Sequence, residues 1–326
     1  MKQYDVYGIG NALVDTEYEV TDAFLSQAEL QKGVMTLIDA EERHQLIKLI
    51  DAEHEVIKQC GGGSAANTMV SLAQLGSKAF YCCKIANDAT GDFFMSDLQT
   101  IGIDTNLATG REDGVSGQCI SMVTSDAERT MTTHLGISEG LSTSELDEEA
   151  LANSKYLYIE GYLVTSPTAF EAAQKAQRIV KESGGIVSLT LSDPAIVEHF
   201  KAQFDLFAEI GIDLIFCNED EAMIWTGSST PEEAFKKLQT ICKQVAMTLG
   251  KNGAMVFDGT SSAIVKGVPT KAVDTTGAGD IFAGVFLNAI VEGNSFIVAA
   301  ERANKAASKL VSCFGARLET SVITQL

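Results

Sequence analysis

The chain has 326 residues, of which 45% are hydrophobic, and a formal net charge of −20. This acidic balance argues against nucleic acid or an anionic membrane as a partner, because phosphate-rich surfaces repel it. The seven cysteines form no CxxC pair, the four histidines show no metal-ligand spacing, and no run is long enough for a membrane span. Since the amino terminus also resembles a strand and not a signal peptide, we expect a cytoplasmic protein.

Short β-rich segments alternate with helical patterns along most of the chain. This alternation predicts a three-layer α/β/α domain, in which helices cover both faces of a mainly parallel sheet. Ligands of such sheets bind outside the carboxyl ends of the strands. The predicted strands are 4–10, 54–59, 78–86, 155–161, 185–191, 213–218 and 245–250, and the predicted helices are 64–75, 91–101, 167–183 and 232–243.

Two stretches interrupt this alternation, residues 15–38 and residues 108–136. Both contain strand patterns without intervening helices, and the second has a turn at Ser125 and Asp126. We interpret them as one small β-sheet, a lid laid across the open edge of the main domain. The large domain then comprises residues 1–14, 39–107 and 137–326.

The segment "DTTGAGD", residues 274–280, directly precedes the apolar run "IFAGVFLNAIV". Gly277 and Gly279 allow a sharp turn that comes close to a ligand. The free amides at the start of the helix then form an anion site, for which phosphate is the common guest. Asp280 is either a helix cap or a carboxylate placed beside that site for chemistry.

Two further glycine-rich stretches lack the standard phosphate-binding motifs. "GIGNALVDT", residues 8–16, has Leu13 where a dinucleotide fingerprint needs its third glycine, and no GxxxxGK[ST] occurs. "CGGGSAANT" begins at Cys60; its glycines let backbone amides face a ligand, and Asn67 lies one turn into the following helix. Ser64 as an ordinary helix cap is the alternative interpretation.

The acidic segment "NEDE", residues 218–221, follows the predicted strand "DLIFC" directly. It therefore falls at the carboxyl edge of the sheet, where ligands bind. A solvated helix start is the usual meaning of such a run. At this edge the same side chains are also suited to orient hydrated Mg²⁺ through water.

The four motifs "GNALVD", "GGGSAANT", "NEDE" and "DTTGAGDIFAG" occur in the order found in the ribokinase (PfkB) carbohydrate-kinase family, which the chain resembles over essentially all 326 residues. Within the family, "ERTMTTHLG", "LYIEGYL" and "LTLSD" are similar to the bacterial adenosine-kinase branch. The resemblance implies a kinase that uses ATP and Mg²⁺ to phosphorylate the 5′-hydroxyl of adenosine. Family members are monomers or pair through their lids as homodimers, and both states stay open here.

The resemblance also implies a substrate site. Asp15 would bind the ribose 2′- and 3′-hydroxyls, because a carboxylate accepts two hydrogen bonds from a vicinal diol. Asn11 would touch the base. The other implied substrate residues are Gly62, Gly63, Ser64 and Asn67 near the ribose, and Leu13, Cys119, Met131, Thr133 and Tyr162 around the base.

The catalytic and nucleotide groups are implied in the same way. Asp280 would be the general base, Arg129 of the lid would close over the phosphates, and Gly277, Ala278 and Gly279 would form the anion hole. Phosphoryl transfer depends mostly on positioning and charge neutralisation, which such groups supply. The remaining implied residues are Asn218 and Glu221 near Mg²⁺, Thr248, Gly250, Gly253 and Asn304 around ATP, and Asp274 and Thr276 where relatives hold a monovalent cation such as K⁺.

Three other functions compete with a nucleoside kinase. A kinase of ribose or fructose would share all of the phosphate machinery. The apolar set around Leu13 and Met131 favours a flat base, because a small sugar needs more hydrogen-bonding partners. A non-catalytic nucleotide-binding regulator has no need of Asp280, and an oxidoreductase lacks its glycine fingerprint.

Overall fold

The computed structural model describes residues 2–108, 111–126 and 128–326. The strands, in chain order, are β1 (Tyr4–Ile9), β2 (Leu13–Glu19), β3 (Met35–Leu37), β4 (Val56–Gly62), β5 (Ala79–Cys82), β6 (Asp104–Thr105), β7 (Gly117–Val123), β8 (Arg129–His134), β9 (Ser154–Ile159), β10 (Ile186–Thr190), β11 (Leu214–Asn218), β12 (Gln244–Thr248), β13 (Gly253–Phe257) and β14 (Ser262–Lys266).

The α-helices lie between some of these strands and after the last one. They are α1 (Asp22–Gln27), α2 (Ala40–Glu53), α3 (Ser64–Gln74), α4 (Ala89–Ile101), α5 (Glu148–Ala152), α6 (Pro167–Glu182), α7 (Pro194–His199), α8 (Lys201–Ile210), α9 (Glu219–Thr226), α10 (Pro231–Ile241), α11 (Ala278–Val291), α12 (Phe296–Leu310) and α13 (Thr320–Ile323). Within the described ranges, no helix has both the length and the apolar character needed to cross a membrane.

The main sheet has nine strands in the order β14-β13-β12-β11-β10-β9-β1-β5-β6. Its pairs are parallel except β12–β13 and β13–β14, which form an antiparallel edge. One hydrophobic core packs α3, α11 and α12 against the sheet through residues such as Met69, Phe286 and Ala303. A second core packs α6 and α8 against it through Ala173 and Phe207. The predicted three-layer, mainly parallel fold is confirmed.

The small sheet has five strands in the order β3-β8-β7-β2-β4. One face packs against α1 and α2, where Tyr18 and Met122 meet Phe24 and Ile50. Side chains alternate along a strand, so the residues between these buried positions point to the opposite face. That open face carries Asp15 and lies toward the main domain.

Two predicted features of the lid region differ from the structure. The strand expected at 54–59 within the alternation runs from Val56 to Gly62 and pairs antiparallel with β2 in the small sheet. Strand–helix alternation does not reveal which sheet a strand joins, because only its pairing decides that. The prediction that no helix lies between the lid strands is also wrong, because the short helix α1, capped by Thr21, lies between β2 and β3. The division into domains at the predicted boundaries stays a prediction.

Helices α3 and α11 pack closely enough to bring their amino-terminal ends together. A Cβ atom added at Gly284 of α11 would lie 2.5 Å from the carbonyl oxygen of Thr68 on α3. The hydroxyl of Thr68 also donates to the carbonyl oxygen of Asp280 over 3.2 Å. The glycine therefore sets the distance between the two helices, and with it the spacing of the two glycine-rich loops that precede them.

Candidate active site

Asp280 is held by side chains from the first turns of α3. Its Oδ1 accepts a hydrogen bond of 2.7 Å from Ser64, and its Oδ2 accepts one of 3.1 Å from the Asn67 amide. Gly277 is the N-cap residue of α11 and makes no side-chain cap bond. Because the Asp280 carboxylate reaches across to α3, the interpretation of Asp280 as a plain helix cap is not supported.

Burial raises the pKa of Asp280 to about 6, against an ordinary value of 3.8, and the bonds from Ser64 and Asn67 and the charge of Arg317 oppose this rise. Asp280 is half-buried and lies where the two glycine-rich loops meet, the region named the cleft. With a pKa of about 6, the Asp280 carboxylate is ionised at neutral pH, yet basic enough to accept a proton from a hydroxyl.

The loop before α11 presents backbone amides to the cleft. Gly277 has φ of 75°, and a Cβ atom there would lie 2.6 Å from the carbonyl oxygen of Ala316. A Cβ atom on Gly279 would meet nothing within 4 Å. The Ala278 amide donates to Thr275 over 3.2 Å, whereas those of Gly279 and Asp280 make no hydrogen bond within the described residues. These two free amides at a helix start fit an anion.

Asp15 projects from the open face of the small sheet into the same cleft. A Cβ atom at Gly62 would lie 2.5 Å from the Asp15 Oδ2 atom, so only glycine leaves room for the carboxylate there. Burial raises the pKa of Asp15 to about 6; Arg317 and Arg129 lower it, and the charge of Asp280 raises it. Two carboxylates therefore lie close enough to interact, one from the lid and one from the main domain.

The side chains predicted around a base lie on this open face beside Asp15. Asp15 pairs with Cys119 across β2 and β7, and Cys119 pairs with Thr133 across β7 and β8. Leu13 and Met131 occupy the same face, because they lie two residues from these positions along their strands. The structure thus brings together four of the predicted pocket residues from three strands.

Asn11 and Tyr162 approach the cleft from the carboxyl edge of the main sheet. The Asn11 amide donates to Glu160 over 2.9 Å, and its carbonyl oxygen accepts from the Ser138 hydroxyl at 3.4 Å. Tyr162 lies in a short 3₁₀ turn just after β9, and burial, with the nearby carboxylates of Asp193 and Glu160, raises its pKa well above the usual range. The polar atoms of Asn11 are thus already engaged by the protein.

Glu160 is a site residue that the sequence did not single out. It is 1% exposed, its Oε1 accepts from the Asn11 amide, and its Oε2 accepts a bond of 2.8 Å from the Ala65 amide. Burial raises its pKa to about 7, although these hydrogen bonds lower it. Glu160 therefore ties the end of β1 to the start of α3. Its one sequence signal is an acidic residue directly after the strand pattern of "LYIEGYL".

Arg129 spans the gap between the lid and the main domain. Its Nη2 donates to Glu17 of β2 over 2.7 Å, and its Nη1 donates to Asp274 over 3.1 Å. Its guanidinium also lies 5.3 Å from the ring centre of Phe314. Asp274 accepts further bonds from the amides of Thr276 and Gly315, so its carboxylate has three donors. The lid arginine thus reaches the loop that carries the free amides.

Asn218 and Glu221 form a reciprocal capping box at the start of α9. The Asn218 side chain accepts from the Glu221 amide at 2.8 Å, and the Glu221 carboxylate accepts from the Asn218 backbone at 2.9 Å. Burial raises the pKa of Glu221 to about 7. Across residues 2–108, 111–126 and 128–326, no three His, Cys, Asp or Glu side chains form a direct metal-binding group.

The residues predicted around ATP lie at the antiparallel edge of the main sheet. Thr248 pairs with Asn218 across β11 and β12, and Gly250 begins the turn that leads to Gly253. Asn304 is buried on α12, and its amide donates to the carbonyl oxygens of Val265 and Lys266 on β14. Thr248 therefore lies beside Asn218 at the end of its strand, and Asn304 holds β14 in position.

Comparisons with known proteins identify the family of the chain. The family model described as pfkB family carbohydrate kinase matches residues 33–322. Mouse ribokinase is 32% identical over 68% of this chain and 69% of its own length. A probable sugar kinase from Rhizobium etli shares the fold at a TM-score of 0.88 and 33% identity, over 100% of this chain and 98% of its own.

An adenosine kinase from Sinorhizobium meliloti superposes with a TM-score of 0.86 at 33% identity, over 99% of this chain and 98% of its own. Sugar and nucleoside kinases are therefore both among the similar proteins. The chain belongs to the pfkB family of carbohydrate kinases and is a phosphotransferase that acts on a sugar or nucleoside hydroxyl.

Proposed function

We propose that the protein is an adenosine kinase, which transfers the γ-phosphoryl group of ATP to the 5′-hydroxyl of adenosine. The observation that carries the proposal is the open face of the small sheet. There the Asp15 carboxylate lies among the apolar or weakly polar side chains of Leu13, Cys119 and Met131, while the next carboxylate on that face, Glu17, is paired with Arg129. This combination suits a ribose diol with a flat base beside it.

The position of Asp280 supports a role for it as the general base. Ser64 and Asn67 fix both carboxylate oxygens, so the group is oriented before a substrate arrives. Asp280 accepts the proton of the acceptor hydroxyl as that oxygen attacks the phosphorus atom, and the bond between the γ-phosphorus and the bridging oxygen of ADP breaks. The free amides of Gly279 and Asp280 hold the negative charge of the transferred phosphoryl group.

The charged groups of the cleft suit Mg²⁺–ATP as the phosphoryl donor. Bound Mg²⁺ would neutralise phosphate charge, and Asn218 and Glu221 would orient its water ligands. Arg129 would approach the phosphates from the lid, since it already contacts Asp274 in the loop before α11. K⁺ at Asp274 and Thr276 stays a separate prediction, because any cation there competes with Arg129 for the Asp274 carboxylate.

A kinase of a free sugar is the second candidate. The identities to mouse ribokinase and to the probable sugar kinase of R. etli favour it, and the phosphate machinery is common to both functions. The two candidates differ at the lid, where a small sugar would leave Met131 and Cys119 without contact. A sugar substrate would also find few polar partners on that face.

An ATP-consumption screen tests the proposal. Purified protein is given Mg²⁺–ATP with adenosine, inosine, guanosine, cytidine, ribose or fructose, and kcat/KM is compared for each. We expect adenosine to have the highest value. A higher value for ribose or fructose would establish the sugar-kinase candidate instead, and turnover of none of them would contradict both.

A further inference from the structure

Arg317, in the segment between α12 and α13, contacts Asn67, which in turn contacts Asp280. Its side chain is 13% exposed, and its Nη1 donates to Asp97 of α4 over 2.6 Å. Its Nε donates to the Oδ1 atom of Asn67 over 2.8 Å. A Cβ atom at Gly61 would overlap the Asp97 carboxylate and lie 3.2 Å from both terminal nitrogens of Arg317, so the glycine of β4 leaves space for this ion pair.

The bond from Arg317 determines which way the Asn67 amide faces. An asparagine side chain has one acceptor end and one donor end. Because the oxygen end accepts from Arg317, the nitrogen end points to Asp280 and donates to its Oδ2 over 3.1 Å. A reversed amide would place its oxygen against the Asp280 carboxylate, which has no proton to donate. Arg317 therefore controls the hydrogen bond that orients Asp280.

The charge of Arg317 also acts on both cleft carboxylates. It lowers the pKa of Asp280 and that of Asp15, in each case against the effect of burial. Asp15 and Asp280 repel each other, and Arg129 offsets only Asp15. The other titratable groups that face the two carboxylates are Glu160, Tyr158 and Tyr162 from the β9 edge, and Cys60 and Cys119 from the lid strands.

We propose that Arg317 is a positioning residue for phosphoryl transfer. Anchored by Asp97, it fixes the Asn67 amide against Asp280 and supplies the positive charge that lets Asp15 and Asp280 be anionic together. This rests on the proposed role of Asp280 as the base. The Arg317 Nη2 atom is buried and has no hydrogen-bond partner within the described residues, so desolvation of the guanidinium is only partly compensated. Such an arrangement is expected for a charge kept for function.

Two substitutions separate the orienting role from the charge. Arg317→Gln removes the charge, and we expect the acidic limb of the kcat/KM profile to move up by about one pH unit. Its loss of kcat, about 10- to 100-fold near neutral pH, should grow as the pH falls. Arg317→Lys keeps the charge but loses the planar donor to Asn67. It should lower kcat by about 10-fold while the acidic limb stays in place.

Two further variants complete the set. Asp97→Asn keeps Arg317 charged and weakens its anchor, so we expect a smaller loss of kcat and no shift of the limb. Arg302→Gln alters an arginine whose 2.8 Å partner is Glu292 on the surface, and it should match the wild type. An acidic limb and a kcat in Arg317→Gln that are both identical to those of the wild type would overturn the proposal and leave Arg317 as a packing residue. The melting temperature is measured for every variant.

A readout independent of turnover keeps the proposal testable. Protein labelled with carboxyl-¹³C aspartate is titrated by NMR, and the Asp280 signal is assigned by its absence from the Asp280→Asn variant. The Asp280 pKa should be higher in Arg317→Gln than in the wild type and unchanged in Arg302→Gln. Equal pKa values would contradict the electrostatic role even if the enzyme is active. A shift in a protein without kinase activity would uphold that role and reject only the proposed function.

Discussion

Ser64 donates a hydrogen bond of 2.7 Å to Asp280, although 216 positions separate the two residues in the chain. The bond joins the first turn of α3 to the first turn of α11, and so joins two of the four motifs. A helix-cap role for Asp280 would have kept its carboxylate on its own helix. The observed partner places it between two glycine-rich loops, where an acceptor hydroxyl and a phosphate can meet.

Loss of Asp15 should damage nucleoside use far more than ATP use. In Asp15→Ala the ribose diol loses a charged acceptor for two hydrogen bonds. We expect kcat/KM for adenosine to fall by an amount that corresponds to a loss of about 2–4 kcal/mol of transition-state stabilisation. The KM for ATP should change little. Glu19→Ala, at the exposed end of the same strand, is the matched control.

The wild type alone offers a second check of Asp15. Adenosine and 2′-deoxyadenosine differ by one hydroxyl of the diol, so the deoxy substrate should be much poorer. Equal kcat/KM values for the two would remove Asp15 from this role.

Arg129 is expected to act only when the lid is closed. In the wild type the Arg129 guanidinium would contact the phosphates and not the nucleoside. Arg129→Ala should therefore lower kcat by about 10- to 100-fold, with a smaller effect on the Kd of the nucleoside. Arg129→Lys should recover part of kcat, because an ammonium supplies the charge without the planar fork. Glu17→Gln leaves the arginine in place and is the control for loss of the lid contact. Full kcat in Arg129→Ala would show that the lid makes no phosphate contact.

The pH profile of the wild type should report the cleft carboxylates. Burial raises the pKa values of Asp280 and Asp15 to about 6, and both must be ionised to accept hydrogen bonds or a proton. We therefore expect kcat/KM to fall as the pH drops through about 6, with a slope above one because two coupled groups titrate. An activity that is constant down to about pH 5 would be incompatible with a base of this pKa.

The same pKa has a consequence for stability. Asp280 titrates near 3.8 when unfolded and near 6 when folded, so between these values the folded state holds a proton that the unfolded state has lost. The contribution of Asp280 to stability therefore falls as the pH rises through this range. Asp280→Asn has no such dependence, and its Tm relative to wild type should be higher at about pH 7.5 than at about pH 4.5. The opposite trend in paired melting curves would mean that the carboxylate stabilises the fold.

The sequence predicted the layers of the fold but not every strand partner. Long periodic segments such as α6 and α11 were evident, because their apolar spacing and flanking residues are local signals. The placement of β4 depended on pairing with β2, and no local pattern contains that information. The small helix α1 was missed because its six residues give too short a pattern.

Local sequence patterns predicted only part of the candidate site, for the same reason. Motifs around Gly277 and Asn67 were visible because each is a short run with its own chemistry. Arg317 and Asp97 were not, since their bond joins residues 220 positions apart and neither lies in a distinctive local pattern. Glu160 lies in a quoted motif, yet its role depends on two amides that only the folded chain brings to it.

Single-turnover kinetics of Asp280→Asn is the most direct test of the central claim, that Asp280 is the base of a kinase site. The amide keeps the size of the side chain and can still pair with Ser64 and Asn67, so fold and ATP affinity should be retained. We predict that the rate of phosphoryl transfer to the nucleoside falls by about 10²–10⁴-fold, the usual effect of removing a positioned base. A well-folded variant, with a Tm at or above that of the wild type and a rate within a few-fold of it, would contradict the claim.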